Sequence, residues 1–408
     1  MIPADERRGM TRTIAWVSGR FDQVGGGERL IQEGLRYYRS QGYRTLVFTW
    51  SFDEVVSFDN EYDPADVVVV STGGSKGKTA GRAFQRLKDL PRLRQLLIAH
   101  KVDLIFVQSE YDVALVYLAT RWPKIPYRFL IFGQNYQFPE DYGKYTLLFR
   151  RHLRTIVNSC AGYRDTTSLE APKISAPNRA AMEMLSAIRL LAVRAAERLY
   201  VFSSQVRWET QLLFGRTPTI AKGAFRREEI TGPAETDVAA RYGLQQQPYI
   251  LSLCRLAPKK RVNLIIDAFA KANLANVTLV IGGDGPERGK LEDQVQRLGI
   301  SDKVRFLGRV PDDHRRGLKQ AAGLFVSMDI GDYDLSPLEA LVLKTPIIVP
   351  EEFDADDEFR ATPGVTVCDA NVDDVASHMK QMLGMRAQPS EALLQSLTWE
   401  NYFSTLIK

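Results

Sequence analysis

Arg255 and Lys260 stand five positions apart around Pro258 in SLCRLAPKKRVNLIIDAF, between an apolar run and a helical one. Two fixed cations beside a helix N-terminus suit a diphosphate, because they neutralise a leaving group that gains negative charge. In VGGGERL, Gly25, Gly26 and Gly27 follow the first apolar run and open a helix. Glycines there let the backbone approach a ligand, and the helix start offers free N–H groups to a phosphate. The spacing is not GxGxxG, so the simple dinucleotide fingerprint is not met. IGGDGPERGKL places Gly282, Gly283 and Gly285 in a tight strand-to-helix turn, with Pro286 acceptable in the first helical turn. In MDIGDYDLSPLEALVLKTP, Ser336, Pro337 and Glu339 match a capping box. An equally available reading has the N–H groups of Leu335 and Ser336 facing phosphate while Glu339 bonds ribose hydroxyls, and local rules leave both open. The acidic run EEFDADDEF, Glu351 to Phe359, reads as a solvated loop ahead of a Mg²⁺ site.

The elements that must hold these loops alternate between strand and helix. Thr13–Ser18, Thr45–Trp50, Val67–Val70, Asp103–Val107, Tyr127–Phe132 and Leu199–Phe202 are short apolar runs, most of them separated by helical periodicity. A second half repeats the plan with Tyr249–Cys254, Thr278–Ile281, Val304–Leu307, Gly323–Ser327 and Pro346–Val349, and with helices near Asn263–Ala272 and Glu287–Leu298. Buried strands alternating with helices imply parallel sheets covered on both faces. Ligands of such sheets sit outside the carboxyl ends of the strands, where all of the loops above lie. Lys222–Tyr242 reads as the hinge between the halves. The stretch Glu140–Glu197 breaks the alternation; within it Arg150, Arg151 and Arg154 flank Leu147, Leu148, Leu153 and Ile156. That basic amphipathic pattern fits a surface helix, or one resting on anionic lipid.

Composition narrows the classes. The chain has 408 residues, 45% of them apolar and 25% charged, which is ordinary for globular domains and suggests two or three of them. Its 54 Lys and Arg against 49 Asp and Glu leave +5, too small an excess at this length for a nucleic-acid binder. Cys160, Cys254 and Cys368 are far apart, so neither a disulfide framework nor a cysteine zinc site is expected, and a reducing cytoplasm fits. No apolar run is long enough to span a membrane, and the first residues do not read as a secretory signal, so any membrane contact is expected to be peripheral, on the inner face.

Taken in order, VGGGERL, YVFSSQVRWETQLLFG with its KGAF hinge, RLAPKKRVNLIIDAF, VTLVIGGDGPER, VRFLGRVP and LSPLEAL resemble the family-4 retaining glycosyltransferases. The resemblance covers most of the chain, densely from about Tyr249 to Pro346 and thinly in the first half. It implies an α/β, GT-B fold: two Rossmann-like doubly wound domains facing a central cleft. Residues 1–225 would form the acceptor-side domain, with a helical insertion at about 140–197. Residues 226–390 would bind the sugar nucleotide, and 391–408 would be a C-terminal helix crossing back to the first domain.

Residue by residue, the resemblance puts Arg255 and Lys260 on the donor diphosphate as the catalytic cations. Glu339 falls on the family's second acid, which holds the ribose. Leu335 and Ser336 fall on the backbone that meets the phosphates, Arg309 and Val310 near the base, and Gly26 and Gly27 on the first-half loop. Gly283 belongs to the same binding set. The chain departs from the family pattern in three places. Gly331 stands where the first acid is usual, and Asp334 replaces a glycine before the phosphate-facing backbone. FGQNYQF supplies Gln134 and Asn135 where a histidine is frequent; they can hydrogen-bond a sugar but cannot act as a base.

The implied chemistry is retaining transfer from a nucleoside-diphosphate sugar, as co-substrate, to a hydroxyl acceptor, either lipid-linked, polysaccharide or a metabolite. It needs no cofactor and no metal, and no nucleic acid takes part. Two alternatives stand beside it: a catalytically weak GT-B protein that binds a sugar nucleotide or a partner, and a GT-B epimerase.

Overall fold

The computed structural model describes residues 12–22, 26–52, 63–71, 86–131, 176–226, 228, 238–244, 247–330 and 333–408. They form two compact units. The first runs through Ala221 and takes in Phe403–Lys408, and the second spans Lys222–Tyr402.

Seven parallel strands build the sheet of the first unit: β1 (Thr13–Ser18), β2 (Arg44–Thr49), β3 (Val67–Val69), β4 (Leu104–Val107), β5 (Tyr127–Ile131), β6 (Arg198–Val201) and β7 (Thr219–Ile220). They are ordered β3-β2-β1-β4-β5-β6-β7. Every residue of β1 is buried, as a central parallel strand covered on both faces must be. Its register pairs Ile14 with Thr45 on one side and with Leu104 on the other. The helix Gly26–Ser40 lays Leu30, Ile31, Leu35 and Tyr38 on the sheet. Gly34 sits where a Cβ would come within 2.5 Å of the Trp16 ring, so only glycine allows that approach.

The second unit has six parallel strands: β8 (Tyr249–Leu253), β9 (Thr278–Gly282), β10 (Val304–Gly308), β11 (Leu324–Val326), β12 (Ile347–Pro350) and β13 (Val365–Cys368), ordered β10-β9-β8-β11-β12-β13. Alternate residues feed opposite faces. Leu251, Leu253, Val280, Phe325 and Val349 join one core, while Ile250, Leu279, Ile281, Leu324, Val326 and Ile348 join the other. The segment VTVC forms the edge strand β13, which the sequence patterning did not anticipate.

The helix Trp399–Ile407 begins in the second unit and ends in the first. In the first unit, Tyr38 and Tyr200 hydroxyls donate to the carbonyls of Phe403 (2.9 Å) and Leu406 (3.2 Å), and Arg128 also donates to Leu406 O. In the second, a Cβ at Gly223 would lie 2.7 Å from both Trp399 and Tyr402. Among the described residues no helix is long and apolar enough to cross a membrane. The basic stretch from Tyr145 to Val157 lies outside the described residues.

Candidate functional site

Strand order reverses between β1 and β4 in the first sheet and between β8 and β11 in the second. Such switch points are where doubly wound sheets leave a crevice beyond their carboxyl ends. In the second unit the segments leaving β8 and β11 are stitched together there. Ile330 N donates to Lys259 O (3.0 Å), and Arg261 Nε donates to Met328 O (2.6 Å). Arg261 also pairs with Glu352 at 3.0 Å.

Lys260 is the centre of this arrangement. Its Nζ lies 2.5 Å from Asp329 Oδ2 and 3.6 Å from Asp334 Oδ2, with side chains exposed by only 16%, 6% and 12%. Burial alone would lower the Lys260 pKa, but Asp334 and Asp329 outweigh it and hold the ammonium above the ordinary lysine value. The cation therefore stays charged, with two carboxylates beside it. Asp329 Oδ1 is buried without a hydrogen-bond partner. Burial pushes the neighbouring Cys254 thiol up to about 12, with Lys260 opposing and both aspartates adding, so Cys254 is no nucleophile at neutral pH.

The helix after β11 starts differently from the capping-box expectation. It runs Leu335–Val342, and its N-cap is Asp334, whose Oδ1 accepts from Ser336 N at 3.4 Å while Oδ2 accepts from Ser327 Oγ at 2.8 Å. Ser336 Oγ instead donates to Leu253 O at 3.2 Å. The aspartate wins because it stands just before the helix, where its carboxylate faces both the free N–H groups and Lys260. Glu339 pairs with Lys319, on the helix Asp312–Ala321, whose side chain is only 2% exposed. Tyr333 ties this same loop to the linker, accepting from Gly223 N (3.1 Å) and donating to Gly223 O (3.3 Å).

The other candidates fall as follows. Arg255 is exposed and leads out of β8; Arg309 is exposed after β10. The Val310 side chain is buried in the core, where a Cβ at Gly282 would meet it at 3.0 Å, so it is not free to touch a base. Gly283 adopts φ +124°, and a Cβ there would lie 1.8 Å from Cys254 O; Gly285 would meet Leu256 O at 2.3 Å. Those glycines let the β8 and β9 loops pack together, a steric need that holds without any ligand. Pro286 precedes the helix Arg288–Arg297, whose cap is Glu287, instead of lying in its first turn. Of the acidic run, Glu351 pairs with Arg360, Glu352 with Arg261, and Asp356 with Lys222.

In the first unit, Gly26 and Gly27 are the first residues of their helix, and Gln108 Nε2, just after β4, donates to Gly27 O at 3.1 Å. Gln108 Oε1 is buried without a partner. Gln134, Asn135 and Gly331 lie outside the described residues. Lys319 and Gln108 were missed in the sequence. The only signal for Gln108 was a polar residue following an apolar strand, and for Lys319 there was none.

Two family models match the chain. "Glycosyltransferase Family 4" matches residues 24–165 and "Glycosyl transferases group 1" matches residues 236–393, one on each half and together most of the chain. The chain belongs to the family-4 glycosyltransferases. Among curated relatives, the alpha-monoglucosyldiacylglycerol synthase of Streptococcus pneumoniae is 25% identical over 341 residues, 80% of this chain and 68% of its own. Among solved structures, the sucrose-phosphate synthase of Thermosynechococcus elongatus superposes with a TM-score of 0.70 at 15% identity, over 97% of each chain. HepE of Anabaena, in complex with UDP, gives 0.69 at 15% identity over 98% of each. The fold of this glycosyltransferase is GT-B.

Proposed function

We propose that this glycosyltransferase retains anomeric configuration, moving a sugar from a nucleoside-diphosphate donor held by the second unit to a hydroxyl acceptor. The observation that carries the reading is Lys260, a permanently charged cation fixed at the β8/β11 switch point beside the start of the helix Leu335–Val342. In the step, the sugar–phosphate C–O bond breaks and the acceptor oxygen bonds to the same carbon from the same face. The departing phosphate oxygen takes the acceptor's proton. The protein supplies positioning and charge stabilisation, with Lys260, Arg255 and the N–H groups of Leu335 and Ser336 toward the diphosphate and Glu339 toward the ribose.

Neither a cofactor nor a metal enters that step. Glu339 already holds Lys319, so its ribose contact uses a carboxylate whose position Lys319 fixes. Gly26, Gly27, Gln134 and Asn135 are assigned to the first unit's contacts, and Gly283 and Arg309 to the donor side.

A lipid-linked acceptor is favoured, because the relative that matches 80% of this chain is named for a glucosylated diacylglycerol. Its name also specifies an α-glucoside, the configuration that retention gives from an α-linked donor. The protein would then work from the cytoplasm at the inner face of a membrane.

The test is turnover of a panel of nucleotide sugars with diacylglycerol and soluble acceptors, with the product's anomeric configuration read by NMR. Retention, equal rates with and without added Mg²⁺, and loss of turnover in Lys260→Ala are expected. An inverted product, or undiminished turnover in Lys260→Ala, would overturn the reading.

A further inference from the structure

The edge strand β13 ends at Cys368, which is 3% exposed, and the helix Val372–Met382 follows with Asp374 and His378 one turn apart. One ligand atom from each of the three lies within 4.8 Å of the other two. They come from consecutive elements, the end of β13 and the first turns of the next helix, and the three-residue connector between them folds the helix start back against the strand end.

Two of the three ligand side chains are already oriented by hydrogen bonds, and the third sits on a fixed strand end. Asp374 Oδ2 accepts from Asp369 N at 2.9 Å. His378 Nδ1 lies 2.9 Å from Asp374 O and 3.3 Å from Asp374 Oδ1. The Cys368 carbonyl accepts from Glu351 N at 3.0 Å, which fixes the strand end. Hydrogen bonds of this kind set the orientation of metal-binding side chains. The surroundings are also negative. The carboxylates of Asp369, Glu351 and Glu352 also lie around Cys368, and a negative field of that kind favours a divalent cation.

We propose that Cys368, Asp374 and His378 bind Zn²⁺, tying the edge strand β13 to the helix Val372–Met382. One thiolate, one imidazole and one carboxylate suit a borderline-soft ion, whereas Mg²⁺ and Ca²⁺ take oxygen. Tetrahedral bonds of about 2.0–2.3 Å place ligand atoms roughly 3.3–3.8 Å apart. The Asp374 and His378 side chains, 35% and 27% exposed, have room to turn that last ångström, and a water completes the shell. On binding, the Cys368 S–H bond breaks, an S–Zn bond forms, the proton leaves to solvent and no oxidation state changes. Affinity should therefore rise by about tenfold per pH unit while the free thiol is protonated and the imidazole neutral.

Co²⁺ titration of the chelator-stripped full chain tests this, since a thiolate ligand gives a sulfur-to-cobalt charge-transfer band and a tetrahedral site gives strong visible bands. One equivalent of Co²⁺ should produce both, and one equivalent of Zn²⁺ should displace it. Cys368→Ser should lose the charge-transfer band, His378→Ala should lose the tetrahedral bands, and Cys254→Ser should keep both. No thiolate band in the wild type, or a band that survives in Cys368→Ser, would overturn the assignment. Should the variants fold poorly, X-ray absorption of the wild type decides: one equivalent of Zn²⁺ should show a sulfur neighbour at about 2.3 Å, and a shell of nitrogen and oxygen alone counts against the site.

Discussion

Asp334→Asn separates a helix cap from a charge. Asparagine caps as well as aspartate, and its amide can still meet Ser327 and Ser336, so the helix Leu335–Val342 should persist. What disappears is one negative charge 3.6 Å from the Lys260 ammonium. A phosphate seated on Lys260 would stand about 4 Å from that carboxylate, where like charges repel by roughly 4 kcal/mol at an effective dielectric near 20. Lys260 retains Asp329 at 2.5 Å and would close on it, returning part of the gain. Allowing half, nucleoside diphosphates should bind the variant about 2 kcal/mol more tightly, roughly 30-fold in Kd. Isothermal titration of UDP, GDP and ADP into wild type, Asp334→Asn and Lys260→Ala would measure it. The order expected for the preferred nucleotide is Asp334→Asn tightest and Lys260→Ala weakest, with the first gap narrowing as salt screens it. Equal or weaker binding by Asp334→Asn would mean that the carboxylate touches the ligand favourably instead of competing with it.

Three further substitutions probe the frame around this site. Gly283→Ala places a Cβ against Cys254 O at a φ of +124°, so it should cost more than about 3 kcal/mol and show as a large drop in Tm or loss of folded protein. Glu339→Gln leaves the buried Lys319 ammonium without its charge partner, and a loss of about 3 kcal/mol is expected by chemical denaturation even without nucleotide. Asp356, although partly desolvated, is held below the usual carboxylate range by the Phe359 N–H and Lys222. A depressed folded pKa adds stability above the unfolded value and loses it as pH falls through the folded one. Wild type should therefore lose more Tm than Asp356→Asn between about pH 5 and pH 2.

The strands were readable because parallel, doubly covered strands are nearly continuous apolar runs: TIAWVS and YILSL announce themselves, and so does IIVP. β13 was not, because VTVC is a half-exposed edge strand of four residues between a glycine and an aspartate. The loops that carry the site were placed correctly by the strand–helix alternation, but their internal chemistry was not. Ser336 and Glu339 satisfy a local capping rule, yet Asp334 takes the cap because its carboxylate also faces Lys260, 74 positions earlier in the chain. Lys260 with Asp329, and Lys319 with Glu339, meet only because β8 lies beside β11 and because the helix Asp312–Ala321 approaches the helix Leu335–Val342. No spacing rule along the sequence encodes such pairs.

The division of the helix Trp399–Ile407 has a consequence for how the chain is made. Phe403 and Leu406 are fully buried in the first unit, where they receive hydrogen bonds from Tyr38, Arg128 and Tyr200. A ribosome delivers those three residues long before it delivers Phe403. The earlier-born unit thus waits, with an unfilled aromatic seat around Tyr37 and Tyr38, until the whole of the later one has emerged. Vectorial synthesis cannot finish the two units one after the other, and a nascent chain stopped short of Phe403 would hold that seat open to solvent.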